Sequence, residues 1–442
     1  MNLTPQNTAV RQAADVLLID VTRLAARLLE GKHPTGVDRV SLAYIDHFRP
    51  RARAVVRHWG RWMQLSQGAS QRVFAALLGE DPQPQSTLRR CVAAAYVLRW
   101  GLTPGALLFN TGHSGLDDPR YAQRVHRHRV RPIYFLHDLI PLSHPEYCRA
   151  GEVDKHRQRL QTMLRTGHGV IANSQATLDD LIAYAQAQAL PVPARLVAHL
   201  GLSLLPGPRP QPPVEPPYFV ALGTIEARKN HLLLLHVWRA LVERLGAAAP
   251  KLIIIGQRGW ECEQVVDLLE RCNALRAVVR EVPRCNDAEL ATWLRHAQAL
   301  LFPSFAEGYG LPLIEALAAG VPVIASDLPA FREVAGDLPV YLDPIDGLGW
   351  LDAILAFSQG NAGPPQVSLP PSGGLTRTRQ VWGRSEPRHS ARQAQLARLR
   401  GYTPPTWAQH FDQVDAWLHC LERHANAEQQ PIAKEDGIDL VR

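Results

Sequence analysis

Residues 299–327, ALLFPSFAEGYGLPLIEALAAGVPVIASD, constrain the fold most, because their residue types change in the order strand, loop, helix, strand. The short apolar run 299–302 suits a strand buried on both faces. Residues 303–311 form a loop containing Gly308 and Gly310, and Pro312 fits the first helical position, where a missing N–H costs nothing. Gly320 is placed to end the helix, and 321–325 is the next strand. Glu307 lies in the loop and Glu315 is expected in the helix's first turn, with seven residues between them, so both should face one crevice. Gly308 and Gly310 let the backbone come close to a ligand. The free N–H groups around Leu311, at the positive end of the helix dipole, suit a phosphate. A carboxylate beside such an anion site fits sugar or ribose hydroxyls better than the phosphate itself. Taken alone, Glu315 could simply complement the helix dipole and Glu307 could be a solvated loop residue.

The words around the two carboxylates go further. FPSFAEGYGLPLIEALAAGVPVIASD closely resembles the signature of retaining glycosyltransferases of family 4. The resemblance implies an α/β chain of GT-B architecture: two facing Rossmann-like domains with parallel sheets, a cleft between them, and a C-terminal helix crossing back to the N-terminal domain.

Size agrees with that frame, since 442 residues are too many for one ordinary domain and predict two or three. No run of about 18 apolar residues occurs and MNLTPQNTAVR lacks the apolar core of a signal peptide, so a cytosolic protein is expected. Six scattered cysteines (91, 148, 262, 272, 285, 420) form no C-x-x-C pair, which fits reduced thiols rather than a disulfide frame or zinc site. The net charge is +7, and Lys occurs only at 32, 155, 229, 251 and 434. A basic surface could meet nucleic acid, an anionic membrane face or phosphate-bearing substrates, or be merely solvated. The arginines at 120, 124, 127, 129 and 131 lack interleaved aromatics, so no nucleic-acid partner is expected.

In chain order, 16–20 (VLLID) reads as the first strand. Gly36 opens the helix that Asp38, Arg39 and Val40 begin, either as a bare turn or as a close approach to a donor phosphate or acceptor; the family's N-terminal glycine loop favours the second. Residues 53–58 read as a strand. Another, 106–110, ends in TGHSG, one residue short of G-x-S-x-G, so a cleft-lining loop is expected rather than a nucleophile elbow. The strand 132–136 runs straight into His137 and Asp138, at the carboxyl end where open α/β sheets bind ligands. His137 can donate a hydrogen bond to a sugar hydroxyl or steady charge there, while Asp138 can fix its tautomer or cap the next helix. FLHDLIPLSHPEY resembles the matching segment of bacterial family 4 mannosyltransferases, whose histidine contacts the donor sugar. That implies a catalytic place for His137, with Asp138 beside it. Ser174, after the strand 170–174, reads as a helix N-cap, and 195–199 closes the first sheet.

Residues 206–217, PGPRPQPPVEPP, hold seven prolines and should form an extended linker. After the strand 218–222 comes GTIEARKNH, which resembles the family's pyrophosphate-binding turn and implies that Arg228 and Lys229 hold a diphosphate. Many members carry Arg after the glycine, where this chain has Thr224; Arg228 takes that part here. Residues 257–260 and 281–283 should lie near the nucleobase. The expected domains are 1–205, the linker, 218–400 with a flexible insertion near 359–375, a crossover helix within 401–425, and a polar tail 426–442. The basic segment 377–400 reads as a helix that is solvated or lies on an anionic membrane face.

The resemblance implies a retaining hexosyltransferase with Glu307 on the sugar hydroxyls and Glu315 on the ribose. No D-x-D occurs, so metal independence is expected, with no cofactor besides the sugar nucleotide. Around His137 the resemblance points to mannose, hence to GDP-mannose and a saccharide or lipid-linked saccharide acceptor of a surface polysaccharide. Rhamnose, fucose and glucose stay open as donor sugars. A sugar-nucleotide epimerase and a non-catalytic binding protein are the readings from other classes.

Overall fold

The computed structural model describes residues 16–32, 34–58, 60–98, 101–203, 205–358 and 390–428. The first half supplies β1 (Leu17–Asp20), β2 (Ala52–His58), β3 (Arg61–Gln64), β4 (Leu107–Asn110), β5 (Arg131–Leu136), β6 (Gly169–Ala172) and β7 (Ala194–Val197), in the order β3-β2-β1-β4-β5-β6-β7. Every neighbouring pair is parallel except the β2–β3 hairpin. The second half supplies β8 (Tyr218–Leu222), β9 (Lys251–Ile255), β10 (Val279–Val282), β11 (Leu300–Phe302), β12 (Val323–Ser326) and β13 (Val340–Leu342), all parallel, in the order β10-β9-β8-β11-β12-β13. The chain has the α/β GT-B fold of two Rossmann-like domains.

Helices cover both faces of each sheet, which is why the strands are short apolar runs rather than alternating ones. Leu18, Leu108, Tyr134 and Val170 pack to one side of the first sheet, Ile19, Phe109, Phe135 and Ile171 to the other. That second layer belongs to one cluster with Val220, Ile253, Phe302 and Leu313 of the second domain and Phe411, Val414 and Leu418 of the C-terminal helix. The strand order reverses between β1 and β4 and between β8 and β11. Crossover helices diverge at such points, opening a crevice at the carboxyl ends of the strands.

The C-terminal helix Trp407–Glu428 docks on the first domain. His410 donates from Nδ1 to the His199 carbonyl (3.0 Å) and accepts at Nε2 from the Tyr44 hydroxyl (3.0 Å). Asp415 pairs with His47 (2.8 Å) and with Arg51. A β-carbon on Gly169 would overlap the Trp417 ring. The buried Phe411 and Leu418 side chains each contribute roughly 1.5–3 kcal/mol relative to exposure.

The described part of the basic segment is the helix Ser390–Leu399, exposed along most of its length and buried at Gln395 and Leu399. Arg392, Gln395 and Arg398 donate to the carbonyls of Gln298 (3.1 Å), Val323 (3.0 Å) and Asp337 (2.7 Å), which ties it to the second domain. The expected insertion at 359–375, residues 377–389 and the tail beyond 428 lie outside the described residues. No described helix is long and apolar enough to cross a membrane. None of the six cysteines is in a disulfide.

Candidate active site

The turn after β8 is built to present two cations. Asn230 takes a left-handed backbone (φ 54) and anchors its amide on the Pro344 carbonyl at 2.8 Å. The 3-10 turn Ala227–Lys229 therefore faces the loop after β11. Arg228 donates to Glu226 (2.7 Å), to Glu307 (2.8 Å) and to the Ala306 carbonyl (2.7 Å), and the Phe305 N–H returns to the Arg228 carbonyl at 2.9 Å. The Lys229 ammonium pairs with Glu307 and sits 4.9 Å from the centre of the Phe302 ring. Ser304 donates to Glu307 at 2.8 Å. Burial by itself would raise the Glu307 carboxyl, but the Arg228 and Lys229 charges outweigh it and bring the pKa down to about 2. Burial pulls Lys229 down against the opposing field of Glu307. Glu307 is thus ionised across the working pH range, able to accept hydroxyl hydrogens and to face positive charge, and unable to donate a proton.

The loop beyond Glu307 is clamped against the first domain. A β-carbon on Gly308 would overlap the His137 carbonyl oxygen, so only glycine admits this approach. The hydroxyls of Ser174 and Thr177 lie 2.9 and 3.2 Å from the Gly308 carbonyl, and Tyr309 donates to the Leu200 carbonyl at 2.9 Å. Ser174 also caps its helix through Thr177 N–H at 3.1 Å. Gly310 takes φ 102 at the start of the helix Leu311–Ala318, and Leu311 Cδ1 faces Gly36, 3.7 Å from where its β-carbon would stand. Leu311 therefore meets Gly36 across the cleft and Gly308 meets His137, while Gly310 packs on Phe331 of its own domain. The Thr224 methyl lies against Gly259.

His137 and Asp138 lie at this contact with altered parts. His137 is buried and its Nε2 is 2.7 Å from the Thr111 carbonyl. A carbonyl only accepts, so Nε2 carries the hydrogen, and Thr111 rather than Asp138 selects the tautomer. Burial lowers the His137 pKa, so the ring is neutral and its remaining nitrogen is an acceptor. The donor role expected for His137 is corrected accordingly. Asp138 closes an Asx turn ahead of the next helix, its carboxylate accepting from Ile140 N–H at 3.1 Å.

Glu315 also departs from expectation. It is the fifth residue of Leu311–Ala318, in the second turn rather than the first, and shares no partner with Glu307. Its carboxylate binds Arg39 of the first domain at 2.9 Å, with Asp287 3.6 Å from the same guanidinium. Burial raises the Glu315 pKa, with Arg39 pulling the other way. A groove of about 460 Å³ opens beside this pair, lined by Arg39, Asp287, Leu311, Glu315, Trp407 and Phe411.

Sequence reasoning missed four groups here. Glu226 lies inside the recognised turn and was legible as a third charge. Arg39, His113 and Glu333 carry no local signal, because each acts on a partner distant in sequence. Glu333 accepts from the backbone N–H groups of Gln175 (2.6 Å) and Ala176 (3.1 Å) and from His199 (2.7 Å), capping a helix of the other domain. Among the described residues no group of three or more His, Cys, Asp or Glu is arranged to hold a metal ion.

Residues 208–339, which contain β8 to β12, match the family model described as glycosyl transferases group 1. The chain is 37% identical over 139 residues to O-antigen chain mannosyltransferase B of Escherichia coli, covering 31% of this chain and 35% of that protein. It is 28% identical over 255 residues to the serotype-specific mannosyltransferase WbdA of Escherichia coli, 53% of this chain and 31% of that one. The chain thus spans about a third of the length of these relatives. Among solved structures, Anabaena HepE with UDP-glucose superposes with a TM-score of 0.59 at 14% identity, covering 93% of this chain and 99% of that one. Sucrose-phosphate synthase from Thermosynechococcus elongatus superposes with a TM-score of 0.56 at 15% identity, over 94% and 100%. The chain has the GT-B fold, and within it residues 208–339 match the glycosyl transferases group 1 model.

Proposed function

We infer that the protein is a retaining glycosyltransferase that moves mannose from GDP-mannose to a saccharide or lipid-linked saccharide of a surface polysaccharide. The observation that carries this reading is Glu307 held between Arg228 and Lys229 at the β8–β11 switch point, inside the matched family region. The mannosyltransferase names of the relatives support the choice of sugar.

In the reaction the C1–O bond to the diphosphate breaks and its electron pair stays on the leaving oxygen. Arg228, Lys229 and the N–H groups at the start of Leu311–Ala318 stabilise that charge, as preorganised donors do. The acceptor oxygen bonds to C1 from the same face, and its proton passes to the leaving phosphate oxygen. Ionised Glu307 faces the positive charge growing on the sugar ring and accepts from its hydroxyls. Glu315 takes the ribose, exchanging its contact with Arg39 for the ribose hydroxyls. Without donor the cations are balanced by Glu226 and Glu307; the incoming diphosphate shares them. Two protein cations do here what a metal ion does elsewhere, so the transfer is metal-independent.

The test is to offer GDP-, UDP- and dTDP-sugars with saccharide acceptors to the protein in EDTA. Transfer from GDP-mannose alone upholds the reading; transfer from another donor moves the sugar assignment, and isomerised donor replaces the transferase with an epimerase.

A further inference from the structure

The carboxyl ends of β4 and β5 exchange histidines. His113, in the loop after β4, sets its Nε2 2.7 Å from the Phe135 carbonyl on β5. His137, directly after β5, sets its Nε2 2.7 Å from the Thr111 carbonyl in the loop after β4. The ring centroids are 5.1 Å apart. Because carbonyl oxygens only accept, both Nε2 atoms bear hydrogens. Burial lowers both pKa values, so both rings are neutral, with lone pairs at Nδ1. His113 holds a left-handed backbone (φ 58), a conformation that persists in residues other than glycine where the surroundings enforce it. Its loop is fixed further by Thr111 donating to Ser41 at 2.8 Å and Asn110 to the Ser114 carbonyl at 3.0 Å.

We propose that His113 is a positioning residue for His137: by tying its loop to Phe135 it holds the Thr111 carbonyl in place, and so fixes His137 as the tautomer whose free nitrogen accepts a hydrogen bond. The ligand group this suits is a hydroxyl of the transferred sugar or of the acceptor. A phosphate oxygen or carboxylate, with no hydrogen to give, is rejected. The inference rests on the reading that His137 serves the transfer, and it adds the direction of that hydrogen bond and the residue that sets it.

The test uses ¹⁵N NMR of the ring nitrogens in the full chain, with His137→Gln for assignment, together with steady-state kinetics of His113→Ala and His113→Gln. At pH 7 His137 is expected as the Nε2–H tautomer. His113→Ala should mix the tautomers and lower kcat by roughly 10²-fold, the scale of a small misplacement at a reacting centre, with the donor KM little changed. His113→Gln, whose carboxamide N–H reaches the Phe135 carbonyl, should restore both. An Nδ1–H or doubly protonated His137 in the wild type overturns the proposal, and so does equal damage from Ala and Gln. A wild type with the expected tautomer that consumes no sugar nucleotide contradicts the transferase reading instead, while the pairing stands.

Discussion

Arg39 of the first domain and Glu315 of the second form an ion pair across the cleft, 2.9 Å apart. Because Glu315 is nearly buried and Arg39 half-exposed, the pair contributes at most about 1 kcal/mol to holding the donor-free domains together. Arg39→Ala should therefore shift the balance of open and closed forms by roughly fivefold toward open. Small-angle scattering checks this: the donor-free variant should show a larger radius of gyration than the wild type, and saturating donor should remove the difference.

Glu307→Gln removes the charge that faces the sugar ring while keeping its shape. A loss in kcat of about 10²–10³ is expected, the usual cost of one preorganised electrostatic group. The substitution also reports on folding. The Glu307 pKa is depressed to about 2 from 4.5, so its stabilising contribution is complete above about pH 4.5 and is lost as pH falls toward 2. Thermal unfolding of the wild type should steepen in that window, and Glu307→Gln should flatten it.

His410 supplies a second pH window. Burial between Tyr44 and the His199 carbonyl lowers its pKa to about 4. Above pH 6.5 the ring is neutral in folded and unfolded chains alike. Between 6.5 and 4 only the unfolded chain takes the proton, so stability falls with pH by up to about 1.4 kcal/mol per unit and levels off below. The protection factors of the Trp407–Glu428 amides, taken relative to the intrinsic exchange rate at each pH, should fall from pH 7 to pH 5, and His410→Gln should weaken that dependence.

Glu333→Ala leaves the Gln175 and Ala176 N–H groups and His199 without their carboxylate. Charge-assisted hydrogen bonds of this kind contribute about 1.5–3 kcal/mol. Chemical denaturation should show a loss of that order, and adding His199→Ala to Glu333→Ala should cost less than the two single losses summed.

What was legible in the sequence follows from the range of each interaction. The strands at 132–136, 218–222 and 299–302 could be read because burial on both faces writes short apolar runs, and residues 223–231 because cations at a strand-to-helix turn are local chemistry. The tautomer of His137 was not legible, since Thr111 lies twenty-six positions away and contributes only its backbone. Glu315 falls in the second turn because the helix begins at Leu311, directly after Gly310 and one residue before the expected start at Pro312. Arg39 and Glu333 were invisible for a plainer reason: each pairs with a residue of the other domain, and no local pattern marks such a contact.

The central claim is that Glu307, Arg228 and Lys229 form the sugar-transfer site, and proton NMR of the donor's anomeric signal in EDTA tests it most directly. With GDP-mannose and a mannoside acceptor, the product should appear with the donor's anomeric configuration, and Glu307→Gln should slow its appearance by about 10²–10³. A product of opposite configuration, a donor isomerised without acceptor, or equal rates for wild type and Glu307→Gln would contradict the account.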